Sequence, residues 1–298
     1  PLIAYSVEYL TSFGIRDLIV NLHHQPDSIR DALGDGSTLE ASITYSFEEE
    51  ILGTSGALDR VRHSLLDDDF VVVNGKIVTS IDLESAIRAH KSRGAIATLV
   101  LIPNAAREQF SAVEIDTAGL VQGFLPASAP SADGQASPPL LFTGIQVLSP
   151  RIFDYIPQGV FSHSTTDVYP KAIASGETVL GHVASGEWYE MSTLGRYLEA
   201  SITFMRRRNV RFVVGAGSTV DGRASVVDSV LWENVTVEHG AILNRCIVGA
   251  NVRVPANERF QRVAIVRKAI VQEIERGYVA GGNLIVPIGE AGNDASRL

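Results

Sequence analysis

The chain has 298 residues, 45% of them hydrophobic, which suits one large domain and a smaller one. A formal net charge of -9 and a pI near 5.3 exclude a general nucleic-acid or anionic-membrane surface. The single Cys246 permits no internal disulfide, no apolar run approaches the ~20 residues of a membrane span and no signal peptide is visible, so a cytoplasmic setting is expected.

Apolar residues at Leu2, Ile3, Val7, Leu10 and Phe13 predict a helix from Pro1 to Phe13, ended by Gly14. Leu18-Ile19-Val20 reads as a buried strand, and His23 and His24 as a polar turn into a helix over Pro26 to Leu33. A strand over Ile43 to Phe47 leads to the small-residue turn Leu52-Gly53-Thr54-Ser55-Gly56-Ala57, which opens another helix. Phe70-Val71-Val72-Val73 reads as a strand covered on both faces, with Asn74-Gly75-Lys76 just past its carboxyl end. A helix over Leu83 to Arg93, a strand over Ala97 to Ile102 and a hairpin from Val113 past Gly119 follow. Pro126 to Pro139, rich in Ala, Ser and Pro, reads as a surface loop. A strand over Leu140 to Leu148, a short helix over Asp167 to Ala174 and a helix over Tyr197 to Arg208 complete this part. The alternation predicts an α/β fold, Rossmann-like, with a doubly wound, mostly parallel sheet. In such sheets ligands bind at the carboxyl ends of strands, where both small-residue turns lie.

From Val213 the period changes. Val214, Val220, Val226, Val235, Ala241 and Ile247 recur mostly six apart, with interspersed glycines. That hexapeptide repeat predicts a parallel β-helix of three to four coils. The expected divisions are residues 1–208 (α/β), 209–268 (β-helix) and 269–298 (a helix and an irregular tail). A short β-helix leaves its last coil's edge open, so the tail or a second copy is expected to cover it.

LGTSGAL, followed by FVVVNGK and a downstream IDL, resembles the sugar-1-phosphate nucleotidylyltransferases, the NDP-sugar synthases, whose usual text is LGTAGAL and then a strand ending in NGD. Pro1 to Leu10 is similar to the family's KPLIEYSLEYL helix. Leu141-Phe142-Thr143-Gly144-Ile145, Val168-Tyr169-Pro170 and Trp188-Tyr189-Glu190 also have counterparts, in the same order. The resemblance covers nearly the whole chain and implies a left-handed β-helix after the α/β domain. It also implies that the family's first strand and its phosphate loop, GGxGTRL, precede Pro1.

The implied reaction joins an NTP and a sugar-1-phosphate into an NDP-sugar, releasing pyrophosphate, with Mg²⁺ held by carboxylates. The implied nucleotide-binding residues are Glu48, Leu52, Gly53, Thr54, Gly56, Asn74 and Gly75. Those for the sugar are Glu114, Thr143 and Gly144. A capping role for Thr54 or Ser55 is equally compatible with the local text. Lys76 and Glu190 stand at the catalytic positions where the family places two metal-binding aspartates. An ammonium cannot ligate Mg²⁺, whereas Glu190 can. Lys76 could instead pair with Glu190 or meet the α-phosphate directly. Phe124-Leu125-Pro126 replaces the family's Glu-Lys-Pro clamp, and Lys171 is the nearest alternative cation. Two other readings stay open. One is a regulatory relative that binds nucleotide without turnover; the other is a hexapeptide acyltransferase with His239 as base. The partners expected are nucleotide and sugar phosphate, and a homo-oligomer through the β-helix or tail. Nucleic acid and membrane are not among them.

Overall fold

The computed structural model describes residues 1–104, 112–125 and 138–289. The chain divides into two units, Pro1–Trp188 and Tyr189–Leu298. Most of the loop expected at Pro126 to Pro139 lies outside the described residues, as does Pro126 of the replaced clamp. No helix among the described residues is long and apolar enough to cross a membrane.

The first unit runs α1 (Leu2–Ser12), β1 (Asp17–Leu22), α2 (Pro26–Leu33), β2 (Ser42–Phe47), α3 (Gly53–Arg60), β3 (Phe70–Val73), β4 (Ile77–Thr79) and α4 (Leu83–Arg93). It continues with β5 (Ala97–Pro103), β6 (Ala112–Ile115), β7 (Val121–Leu125), β8 (Leu140–Leu148), α5 (Tyr169–Ala174) and β9 (Val179–Val183). Local chemistry sets the ends. Asp82 caps α4 by accepting from Glu84 N and Ser85 N, and Gly94 closes it at φ +55°. A π-turn over Ser164–Val168 stands where the sequence pattern suggests the first turn of α5.

The unit is mixed α/β. β1 and β2 pair in parallel, and so do β5 and β9. β8 runs antiparallel to its three neighbours. One edge takes β6 at Leu140 and Leu141 and then β3 from Ile145 to Leu148, while the other edge takes β5. The pattern of LLFTGIQVL shows a buried strand but not its direction. β3 is half-buried along its length rather than covered on both faces.

The β5–β8 register shifts between Leu99 and Leu101. Thr143, 1% exposed, fills the irregularity by donating its Oγ1 hydrogen to Val100 O at 2.8 Å. Gly144 follows at φ +79°, its carbonyl accepting from Asn74 N at 3.1 Å. A Cβ on Gly144 would lie 2.2 Å from Asn74 Nδ2. Only glycine lets β8 approach the end of β3 this closely.

The helix of the second unit is α6 (Leu194–Arg207), which starts three residues before the expected Tyr197. Its buried Leu198, Ile202 and Met205 recur at helical spacing and pack with Val230, Ile247 and Ala264 of the β-helix. That apolar stripe is why α6 groups with the β-helix rather than with the α/β unit.

Three columns of short parallel strands form the β-helix. Thr219 pairs with Thr236 and Thr236 with Arg253, a step of 17 residues that the other two faces repeat. A strict hexapeptide would give eighteen. The coil is shortened where a single residue, Asp228, joins the strands Ser225–Val227 and Ser229–Leu231. Asp228, Arg245 and Arg262 form this corner, all at positive φ. Their side chains hold α6: Arg206 pairs with Asp228 at 3.2 Å, and Glu199 takes both Arg245 and Arg262.

The tail is a hairpin, where the sequence suggested a helix. After a short 3₁₀ turn over Lys268–Ile270, strand Tyr278–Ala280 turns through Gly281 and Gly282 into Asn283–Pro287. Both glycines have positive φ, as a two-residue hairpin turn requires. The second strand pairs antiparallel with Val263–Arg267, so the tail covers that edge of the last coil.

Two stability predictions follow from these contacts. Gly144→Ala should cost about 1–3 kcal/mol, combining backbone strain with the Asn74 clash. Gly94→Ala has the same strain in open space and should cost less. Urea midpoints with unchanged m-values would report both. Burial raises the Glu199 pKa, but the hydrogen bonds and charges of Arg245 and Arg262 outweigh it, leaving a net lowering. The Glu199 contribution is therefore present above its unfolded value and lost as pH falls through the lowered folded value. Glu199 is 38% exposed, so Glu199→Gln should cost only about 0.5–1 kcal/mol at neutral pH, with the gap closing in acid. Equal gaps at both pH values would refute the linkage.

Candidate functional site

Glu48 follows β2 and is 3% exposed. Its Oε1 accepts from Asn21 Nδ2 at 3.2 Å, at the end of β1, and its Oε2 accepts from Leu52 N at 3.2 Å. His23 Nδ1 lies 2.9 Å from its carbonyl oxygen, so His23 sits in a polar turn beside the site. A buried carboxylate needs such partners. Here they tie the ends of two parallel strands to the turn that opens α3.

Neither Thr54 nor Ser55 caps α3; Leu52 is the N-cap residue and makes no side-chain bond. Thr54 Oγ1 accepts from Ser164 N at 2.9 Å, and Ser55 Oγ lies 2.8 Å from Ser164 Oγ. The helix's own donors Ser55 N and Gly56 N reach Ser162 O, while Ser162 N returns to Leu52 O. A Cβ on Gly53 would lie 2.5 Å from Ser162 O, and one on Gly56 2.8 Å from Val160 O. The glycines thus admit the 160–164 segment. The start of α3 is engaged by protein, which leaves the flank of the turn, with exposed Ile51 and Phe161, as the open surface.

A second group lies at the end of β3. Asn74 packs on Gly144, and its carbonyl accepts from Ser6 Oγ at 3.2 Å. Gly75 lets Ile3 of α1 approach, since a Cβ there would sit 3.3 Å from that side chain. Thr143 gives its hydroxyl to Val100 and its carbonyl to Trp188 Nε1 at 2.9 Å. It shapes the strand rather than offering a free hydroxyl. Lys76 is exposed in the turn between β3 and β4. Glu114, half-buried on β6, stands opposite Gly123 of β7 and belongs to neither group.

Glu190 belongs to the second unit and is 8% exposed. Its Oε2 accepts from Ser192 Oγ at 2.6 Å and from Ser192 N at 3.3 Å, and Arg196 Nη1 is 3.6 Å away. These residues fit a divalent cation poorly. Mg²⁺ takes oxygen lone pairs in near-octahedral order. Lys76 has none to offer. The Glu190 oxygen already faces two donors and a guanidinium. Among the described residues no three His, Cys, Asp or Glu side chains gather as a metal site.

Sequence reasoning did not single out Asn21, Ser162, Ser164 or Arg196. Arg196 carried a usable signal, since it lies six residues after Glu190 and at the third position after the Thr193 cap. Asn21 and Ser164 carried none, because each meets its partner only through the fold.

The nucleotidyl transferase family matches residues 1–206, and the GlmU-like, C-terminal hexapeptide family matches residues 208–261. The UTP–glucose-1-phosphate uridylyltransferase of Synechocystis sp. is 27% identical over 255 residues, covering 80% of this chain and 64% of that protein. The chain therefore spans just under two thirds of that relative. The mannose-1-phosphate guanylyltransferase of Mycobacterium tuberculosis is 27% identical over 273 residues, covering 88% of this chain and 75% of that one. HddC from Yersinia pseudotuberculosis, solved as a complex with GMP-PN, superposes with a TM-score of 0.58 over 68% of this chain and 85% of its own. At 20% identity that is a likeness of fold. With one match across residues 1–206 and the other across the coils that follow, the chain belongs to the nucleotidyl transferase family.

Proposed function

We propose that the chain binds a nucleoside triphosphate beside the Glu48–Gly56 turn and that its nucleotidyl group passes to a sugar-1-phosphate. A phosphate oxygen of the sugar-1-phosphate attacks the α-phosphorus. The bond from that phosphorus to the α–β bridging oxygen breaks, and pyrophosphate leaves with the electron pair. Holding two polyanions in line accounts for most of the catalysis available to such a site. The relatives named above use glucose-1-phosphate with UTP and mannose-1-phosphate with a guanylyl donor, which supports a hexose-1-phosphate as acceptor.

The observation that carries this reading is the buried Glu48 carboxylate tying Asn21 to Leu52. It holds a bulk-free turn rigid at the ends of two strands. In this reading Glu48 positions the turn, while Leu52, Gly53, Thr54 and Gly56 form its wall and Ile51 and Phe161 flank a flat base. Asn74 and Gly75 shape the second turn, and Lys76 brings a positive charge to the phosphates. Gly144 is the sugar candidate at the second turn, with Thr143 setting its strand, while Glu114 is a candidate that stands apart on β6.

Calorimetric titration of GTP, UTP and dTTP, with a pyrophosphate-release assay, tests the reading. One nucleotide should bind. Glu48→Ala should weaken it about tenfold or more, and Glu48→Gln, which keeps an acceptor, by less. If no triphosphate and no NDP-sugar binds, the proposal fails. Binding without pyrophosphate release would instead favour a regulatory relative.

The partner reading extends to a second copy. Strand Tyr278–Ala280 is an exposed sheet edge, with Tyr278 and Val279 joined by exposed Ile270 and Ile274. Light scattering should give twice the chain mass, and Val279→Lys should halve it. A one-chain mass for the unmodified protein would rule this out.

A further inference from the structure

The chemistry around Glu190 leads beyond the transferase reading. Its side chain is 7% exposed and that of Arg196 12%, so both charges are withdrawn from water. Two such charges are tolerated only when they compensate each other and their remaining bonds are met. On the carboxylate side Ser192 supplies two such bonds, its backbone N and its Oγ both donating to Oε2. Arg196 is fixed at its other end, because its backbone N donates to Thr193 Oγ1 at 3.2 Å in the first turn of α6. Carboxylate, hydroxyl and guanidinium thus meet at the head of a helix. A divalent cation at that oxygen would replace the Ser192 donors and stand against the guanidinium. Repulsion in so dry a place is severe.

We propose that Glu190 is a positioning residue that holds Arg196 at the head of α6, and that no divalent cation binds to it. The Arg196 guanidinium brings positive charge to this carboxylate. The inference concerns Glu190 alone and does not require a nucleotide to bind.

Two measurements on the full chain decide it. The first is Mn²⁺ titration followed by electron paramagnetic resonance, with no nucleotide added. The unmodified chain and Glu190→Gln should give the same spectra and the same free-Mn²⁺ concentration. Arg196→Gln, which takes the guanidinium away from the carboxylate, should gain a bound-Mn²⁺ signal. Arg196→Lys, which keeps the charge, should not. A Mn²⁺ site in the unmodified chain that disappears in Glu190→Gln overturns the inference. So does an Arg196→Gln variant, folded by circular dichroism, that takes up no Mn²⁺. Should Arg196→Gln not fold, the comparison of the unmodified chain with Glu190→Gln still decides.

The second measurement compares the dissociation constant of the nucleotide found above in excess Mg²⁺ and in excess chelator. Any Mg²⁺ effect should be the same, within about twofold, in the unmodified chain and Glu190→Gln. A Mg²⁺ gain of about tenfold that Glu190→Gln abolishes overturns the inference. If no nucleotide binds in either condition, the transferase reading fails, while the Mn²⁺ comparison still decides this one.

Discussion

Strand β8 constrains the first unit more than any other element. Its nine residues pair with β6, β3 and β5, all antiparallel. Any slip by one residue would break three pairings together. Two residues make the multiple pairing feasible. Thr143 satisfies the Val100 carbonyl where the ladder with β5 shifts register. Gly144 gives room for Asn74 at the end of β3. The residues that the family resemblance assigns to the sugar are thus the ones that let β8 serve several neighbours. Structural and functional demands on Thr143 and Gly144 cannot be separated by their types alone.

A different constraint governs the second unit. The β-helix cannot bury α6 through its short strands alone, because each coil offers only two or three residues per face. The tight corner at Asp228, Arg245 and Arg262 supplies what the strands lack. Repetition at a step of 17 residues aligns three charged side chains along one edge, and α6 meets them with Arg206 and Glu199 while its apolar stripe covers Val230, Ile247 and Ala264. Register of the coils and attachment of the helix therefore depend on the same positions. Asn234 and Asn251 show the same economy at another corner. Asparagine tolerates the left-handed region, and its side chain bonds to the next coil.

Element types were legible because burial writes a period into the sequence. The runs at Leu18, Phe70, Ala97 and Leu140 and the helical stripe at Leu83 read correctly for that reason. Three features were not legible. Strand direction leaves no trace in a run buried on both faces, so the reversal of β8 was hidden. The coil length was hidden because six-residue spacing dominates and the single short corner perturbs it only once per turn. The tail misled for another reason. Its hairpin signal, Gly281-Gly282 between YVA and NLIV, was present and specific, but the apolar and charged residues from Ala269 to Arg276 read more readily as a helix.

The site shows the same divide more sharply. A turn rich in glycine and hydroxyls is what a flat ligand needs, and it is also what a close backbone approach needs. In LGTSGAL the second demand is visible. Gly53 and Gly56 admit Ser162 and Val160, and Thr54 and Ser55 bond to Ser164. What distinguishes the turn as a site is Glu48, a buried charge four residues before Leu52. An apolar residue there would leave Asn21 Nδ2 and Leu52 N without their acceptor, so the carboxylate serves the fold as well. Withdrawing a carboxylate from water is costly, and here donors from two different elements compensate it. The rigid turn that results is the physical support for the proposal of a ligand beside it, and it stands without reference to any relative.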